Sequence, residues 1–338
     1  MKAIGFTHYL PASDPNCLQD IEIPAPTPGA RDLLVKVVAI SVNPVDVKIR
    51  SPKDTVEKES RILGWDVAGT VSAIGADVRL FKVGDPVFYA GSITRPGAYS
   101  EFHLVDERIV GHKPKEIDFA QAAALPLTTI TAWEALFSRL RISKSGKDSG
   151  KNILIIGGSG GVGSIAIQLA KQLGALTVIA TASRPDSVSW CREMGSDHVI
   201  DHFGDMKAQL ATLGVGCIDF ILCLNDTDRH FPAMAELIAT QGIICSIVEN
   251  TAPLAMEKLF LKSAGFVWQM MFTRSMFETA DMIEQHHLLN ETAKLIDSGR
   301  IKTTLNKILG KIDANNLRLA HTIVEEGRTI GKIVLTGF

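Results

Sequence analysis

A surplus of charge of either sign is missing from this sequence. Its 35 Lys and Arg stand against 37 Asp and Glu, a formal net charge of −2, so no cationic excess exists to neutralise a nucleic-acid backbone. Long hydrophobic runs are missing as well. The longest apolar stretches, such as residues 153–156 and 176–182, have the length of strands and fall far short of the ~20 residues that span a bilayer. At the amino end no basic stretch precedes an apolar one, so no secretion leader is read there. Cysteine is sparse. Cys17, Cys191, Cys217, Cys223 and Cys245 form an odd set without close pairing, which argues against a disulfide framework and for a reducing, cytoplasmic location. Cys217 and Cys223 lie six apart across an expected strand, which is not a zinc-knuckle spacing. The thiols read as buried structural groups.

What is present is an ordinary apolar content spread over 338 residues, more than one hydrophobic core usually serves, so two domains are expected. Three zones differ in pattern. Up to about residue 125, short strands (33–42, 67–74 and 86–90) are punctuated by Pro and Gly, as in residues 24–29 and 91–97, which reads as an all-β module. The middle zone alternates. Strand 153–156 leads to a helix over 162–173, whose stripe is Val162, Ile165, Ala166, Leu169 and Leu173. Strands at 176–181, 198–200, 218–224 and 242–248 follow, with helices at 185–194 and 231–239 between them. Such alternation implies right-handed crossovers and a parallel sheet. The last zone, from about residue 273, opens with a helix over 280–298 and closes with a strand at 331–335, expected to pair with the first module. The fold class is therefore α/β, a β-rich domain interrupted by a doubly wound one.

The strongest chemical signal is Gly157-Gly158-Ser159-Gly160-Gly161-Val162-Gly163. A glycine triplet alone is weak, but this one follows an expected strand and opens an expected helix, the context of a dinucleotide-binding turn. Gly158 is assigned the tight turn, Gly160 the close approach of backbone to pyrophosphate, and Gly163 the close helix–strand packing. The helix N-terminus offers its free N–H groups to the anion. An acidic residue about twenty positions further on would hold the ribose hydroxyls of NAD. The sequence instead reads Ala180-Thr181-Ala182-Ser183-Arg184. Ser183 and Arg184 are donors for a 2′-phosphate, so the expected cofactor is NADPH. A purely structural reading coexists with this one: Ser183 as helix N-cap, with Asp186 as its capping-box partner.

Several further segments carry a resemblance: Val42-Asn43-Pro44-Val45-Asp46, Gly64-Trp65-Asp66-Val67-Ala68-Gly69, Val83-Gly84-Asp85-Pro86-Val87, Gly97-Ala98-Tyr99-Ser100-Glu101 and Ala124-Leu125-Pro126-Leu127-Thr128. With the glycine loop, and over nearly the whole chain, they resemble the medium-chain dehydrogenase/reductase superfamily, within it the quinone oxidoreductase branch. The resemblance implies a GroES-like β domain (1–124 with 273–338), a Rossmann domain (125–272) and a homodimer. Family members with a catalytic zinc carry a Cys and a His where this chain has Asn43 and Trp65. Neither is a credible zinc ligand, and residues 91–97 lack the cysteines of a structural zinc lobe. A site without metal is expected.

The resemblance also places Asn43, Asp46 and Lys48 around the cleft as catalytic candidates, where many quinone reductases have a Tyr at the position of Lys48. Each has a bland alternative, a turn-capping Asn or Asp or a solvated Lys. Thr128 and Asn225 are implied near the cofactor, Asn225 with the alternative of an ordinary turn residue. Trp65 and Phe272, the latter from the aromatic and Met-rich stretch 266–272, are candidates for an apolar substrate wall, with core packing or a dimer interface as the default for that stretch. Without metal, the charge forming on an acceptor oxygen falls to hydrogen-bond donors or to the acceptor itself. Reduction of a quinone or other activated carbonyl compound is therefore expected. The rivals are an NADPH-dependent alcohol dehydrogenase, an enoyl reductase and a non-catalytic NADPH-binding sensor.

Overall fold

The strand Asp32–Val42 is the spine of the β-rich part of the chain. Its first half alternates, with Leu33, Val35 and Val37 buried and Lys36 exposed, and from Ala39 onward every residue is buried. It thus begins with one face in solvent and ends covered on both. Val67–Ile74 pairs antiparallel along it, and Lys332–Thr336 pairs antiparallel at its carboxyl end with Ile333 opposite Val42. Phe102–Asp106 pairs with its beginning, and Pro86–Tyr89, Val110–His112 and Leu305–Ile308 complete a seven-stranded sheet. A separate three-stranded sheet joins Lys2–His8 to Gln19–Glu22 and Val56–Ile62. The computed structural model describes all 338 residues and divides them into two units, Met1–Leu127 with Phe272–Phe338, and Thr128–Met271. Both sheets just described belong to the first.

The second unit is a six-stranded parallel sheet in the order His198–Ile200, Thr177–Thr181, Asn152–Ile156, Ile218–Cys223, Ile238–Ser246 and Gly265–Trp268. Central strands of such a sheet are covered on both faces, which is why Ile153, Leu154, Ile155 and Ile156 form an unbroken apolar run, all fully buried. One face packs Leu154, Ile156, Ile179, Ile221 and Ile244 against Phe231 and Met234 of the helix Thr227–Leu237. Strand order reverses beside Asn152–Ile156, the topology in which ligands bind outside the carboxyl ends of the strands.

Several ends differ from the sequence pattern. The helix expected at 231–239 starts at Thr227, because the Asp226 side chain accepts the Arg229 N–H and caps it. The helix expected from residue 280 starts at Glu284, after a short helix Thr273–Met276. The helix Pro185–Glu193 is capped by Arg184 and not by Ser183: the Ser187 hydroxyl accepts the Arg184 N–H at 3.1 Å. No helix is long and apolar enough to cross a membrane.

Candidate functional site

In the β-rich unit a chain of buried polar groups forms around the end of the strand Asp32–Val42. Pro44 starts the helix Pro44–Arg50, and the Asn43 N–H donates to Asp46 Oδ2 at 2.6 Å, so Asp46 holds the helix entry. The Asn43 side-chain amide donates to Asp66 Oδ2 at 2.8 Å. The antiparallel register brings Lys332 opposite Asn43, where its ammonium donates to Asn43 Oδ1, to the Val42 carbonyl at 2.9 Å and to Asp66 at 3.1 Å. Asp66 Oδ1 accepts the Leu127 N–H at 2.7 Å. Asn43, Asp46 and Asp66 are fully buried and Lys332 nearly so, so each ion depends on the others for solvation.

On the far side of Asp46 the chain continues through Tyr99 and His321. Arg50 Nε donates to His321 Nδ1 at 3.2 Å, and Tyr99 Oη lies 3.2 Å from His321 Nε2. Because a guanidinium only donates, neutral His321 carries its proton on Nε2 and gives it to Tyr99 Oη. That leaves the Tyr99 hydroxyl hydrogen for Asp46. Arg50 is itself buried and ends on the Leu10 carbonyl and the carboxylate of Glu325. Burial pushes the Asp46 carboxyl up to about 7 against the pull of the Asn43 N–H and Lys332. Burial likewise raises Asp66, opposed chiefly by Lys332. His321 is held down at about 3 by burial and the neighbouring Arg50 charge. Asp46 Oδ1 is buried without a hydrogen-bond partner of ordinary geometry. The arrangement is therefore a relay of donors and acceptors in which Asp46 is the group poised to change its proton.

The candidates read from sequence fall out unevenly. Asn43 and Asp46 come together here. Lys48 does not join them; it is exposed on the outer face of the helix Pro44–Arg50, and the cation at this centre is Lys332. Trp65 is only 1 % exposed, its indole N–H donates to the Ser92 carbonyl at 3.0 Å, and it meets Phe272 edge to face at 6.1 Å. Instead of presenting a flat open wall, both rings are interior. Sequence reasoning missed Lys332, Tyr99, His321 and Arg50. Lys332 left one signal, a charge set directly against the apolar run Ile333-Val334-Leu335.

In the parallel-sheet unit the glycine loop joins the strand Asn152–Ile156 to the helix Gly161–Gln172. The left-handed turn falls on Gly157 (φ +88°) and not on Gly158. Gly157 N–H is held by Thr181 Oγ1 at 3.0 Å. A Cβ on Gly158 would stand 2.7 Å from that of Ala180, and one on Gly163 would stand 2.5 Å from the carbonyl oxygens of Gly157 and Gly158. On Gly160 a Cβ would meet nothing nearer than 3.6 Å. The loop is thus closed on its inner side and open at Gly160, with Ser159, Gly161 and Val162 half-buried at the helix mouth. Asn225 Oδ1 lies against Gly157. Ser183 is exposed and Arg184 half-buried past the end of the strand Thr177–Thr181, with no acidic residue at either place. Thr128 is buried on the helix Pro126–Trp133. The glycine loop and the helix start behind it fit a dinucleotide diphosphate, whose approach a side chain at Gly160 would narrow.

The chain matches two family models, an alcohol dehydrogenase GroES-like domain over residues 29–115 and a zinc-binding dehydrogenase domain over residues 173–335. A zinc-type alcohol dehydrogenase-like protein of Staphylococcus aureus is 43 % identical over 99 % of both chains. A putative zinc-dependent alcohol dehydrogenase from Rhizobium etli shares its fold with a TM-score of 0.96 at 50 % identity, covering 100 % of this chain and 98 % of that one. The Escherichia coli quinone oxidoreductase complexed with NADPH superposes with a TM-score of 0.82 at 26 % identity, over 99 % and 100 % of the two chains. With its GroES-like and Rossmann parts, this chain belongs to the medium-chain dehydrogenase/reductase family and is an oxidoreductase.

Proposed function

We propose that the protein is an NADPH-dependent reductase of quinones or other activated carbonyl compounds that works without a metal ion, in the cytoplasm and as a homodimer. The commitment of Asn43 and Trp65 carries the metal-free part. At the positions where zinc-bearing members of the family have a Cys and a His, Asn43 gives its amide to Asp66 and its oxygen to Lys332. The indole of Trp65 has no lone pair to offer, and its N–H is already placed on Ser92. Zinc needs several donors converging with free electron pairs, and these residues do not fit it.

When bound, the reduced nicotinamide supplies the hydride. The glycine loop holds the diphosphate through the N–H groups at the start of the helix Gly161–Gln172, and Ser183 and Arg184 receive the 2′-phosphate. With no metal to meet the charge forming on the acceptor oxygen, an acceptor that delocalises that charge is favoured over a simple aldehyde or alcohol. The NADPH complex of the E. coli quinone oxidoreductase supports this reading. So does a tomato 2-methylene-furan-3-one reductase, 37 % identical over 60 % of this chain. A second reading, an alcohol dehydrogenase, is favoured by the match to the zinc-binding dehydrogenase model and by an NAD-dependent alcohol dehydrogenase among the similar structures. NADPH absorbance followed in parallel with a naphthoquinone, an enone and a simple aldehyde separates the two, with metal analysis of the same preparation. Turnover of the quinone or enone by zinc-free protein is expected; one tightly held zinc per chain with aldehyde turnover would overturn the proposal.

A further inference from the structure

Behind the glycine loop stands a pair of side chains that the sequence did not flag. Trp190, half-buried on the helix Pro185–Glu193, donates its indole N–H to Ser164 Oγ at 2.7 Å. Ser164 is fully buried near the start of the helix Gly161–Gln172. An indole N–H only donates, so the serine oxygen accepts there and its own hydrogen is left for a carbonyl. Two carbonyls are in range, Gly160 at 2.7 Å and Ser159 at 3.5 Å, and the shorter bond takes it. The Gly160 oxygen also accepts the Ser164 N–H at 2.9 Å, so that carbonyl is engaged twice by one residue of the helix. Cys191, next to Trp190, lies beneath Gly158, where an added Cβ would come 3.1 Å from its sulfur. The helix Pro185–Glu193 therefore backs the loop at two points.

The peptide that joins Gly160 to Gly161 has no side chain on either flank and meets little steric resistance to turning over. A trans peptide points its C=O and its N–H in opposite directions. While the Gly160 carbonyl is drawn into the helix, the Gly161 N–H faces outward, where an anion at the helix N-terminus accepts it. Turned over, the same peptide would set a carbonyl oxygen against that anion. The bond from the Ser164 N–H opposes the turn, and the bond from its hydroxyl adds a second hold. A hydroxyl that accepts a hydrogen bond donates more strongly in return, so the indole both aims Ser164 and strengthens its grip. We propose that Trp190 is a positioning residue for the diphosphate of the cofactor: through Ser164 it locks the Gly160–Gly161 peptide with its N–H turned toward the phosphates. The inference rests on the dinucleotide reading of the loop and gives a role to two residues outside the glycine motif.

The test titrates NADPH and NADH calorimetrically against the whole protein, its Trp190→Phe and Ser164→Ala variants and the double variant. Phe keeps the ring and loses only the N–H, and Ala suits a helix interior, so the pair covers the case in which one variant does not fold. Each single variant should weaken both nucleotides by about fivefold, the scale of one hydrogen bond. The stoichiometry should stay whole and the ratio of the two affinities unchanged, because both nucleotides carry the diphosphate. The double variant should bind no more weakly than Ser164→Ala, since the indole acts only through that hydroxyl. In proton–nitrogen correlation spectra the indole resonance that Trp190→Phe removes should move upfield in Ser164→Ala, where its acceptor is gone. Unchanged affinity in Trp190→Phe, losses that multiply in the double variant, an indole resonance indifferent to Ser164, or a fall in stoichiometry in place of affinity would each overturn the positioning role while the dinucleotide reading stands. If the wild type binds neither nucleotide, both fall.

Discussion

Asp46 makes stability depend on pH in the direction opposite to that of an ordinary paired carboxylate. It is fully buried, and its carboxyl titrates at about 7 in the folded chain, against ~3.9 for an unfolded Asp. Between these values the folded state binds more protons than the unfolded one, so stability is greatest at the acid end and declines as pH rises toward 7. With about 1.4 kcal/mol for each pH unit over which only the folded state holds the proton, the loss between about pH 5 and pH 8 comes to ~3 kcal/mol. Asp46→Asn keeps an oxygen to accept the Asn43 N–H and cannot ionise, so it should lack this slope. Trp65 is the only tryptophan of its unit. A background in which Trp133, Trp190 and Trp268 are replaced by Phe lets its fluorescence report unfolding of that unit alone, which matters because a two-unit chain need not unfold in one step. Urea titrations of this background with and without Asp46→Asn are the assay. The wild-type carboxyl should lose ground to the amide by ~2–4 kcal/mol over the interval. A difference constant to within about 0.5 kcal/mol, the ordinary scatter for independent effects, would refute the assignment of Asp46 as the titrating group.

Four further outcomes follow from the geometry. Lys332→Met leaves Asp66 buried with only the Leu127 and Asn43 donors and should cost ~3–5 kcal/mol by urea titration. Adding Asp66→Leu should recover much of that loss, because it removes the stranded charge. Trp65→Ala empties the space against Phe272 and should cost ~3–5 kcal/mol, with thermal unfolding as the measurement; an unchanged midpoint would place the ring outside the core. Gly163→Ala drives a Cβ into the carbonyls of Gly157 and Gly158 and should weaken NADPH by more than about tenfold in a fluorescence titration. Ser183→Asp restores an acidic group at the strand end and should move the NADPH to NADH affinity ratio toward NADH by at least about tenfold. An unchanged ratio would show that this position does not face the ribose.

The parts of this chain that were legible in the sequence are those whose cause is local. The central strands announce themselves as apolar runs because both faces are covered, and residues 67–74 and 198–200 match the observed strands end for end. Helix starts were misplaced where capping decided them: Asp226 begins a helix four residues before its apolar stripe does. The glycine spacing was visible, but which glycine takes the positive φ is a property of the backbone path, and it fell on Gly157. The polar centre was legible only in half. Asn43 and Asp46 share one short helix entry, whereas the Lys332 that fixes Asn43 lies 289 residues away and reaches it through strand register. Register is set by long-range pairing, and a slip of one residue would turn Lys332 to the other face. There a residue type that sits badly with its local pattern, a lysine opening a buried strand, marks where two distant segments meet around a charge. Such misfits, more than the matched motifs, are therefore where this family member's own chemistry should be sought.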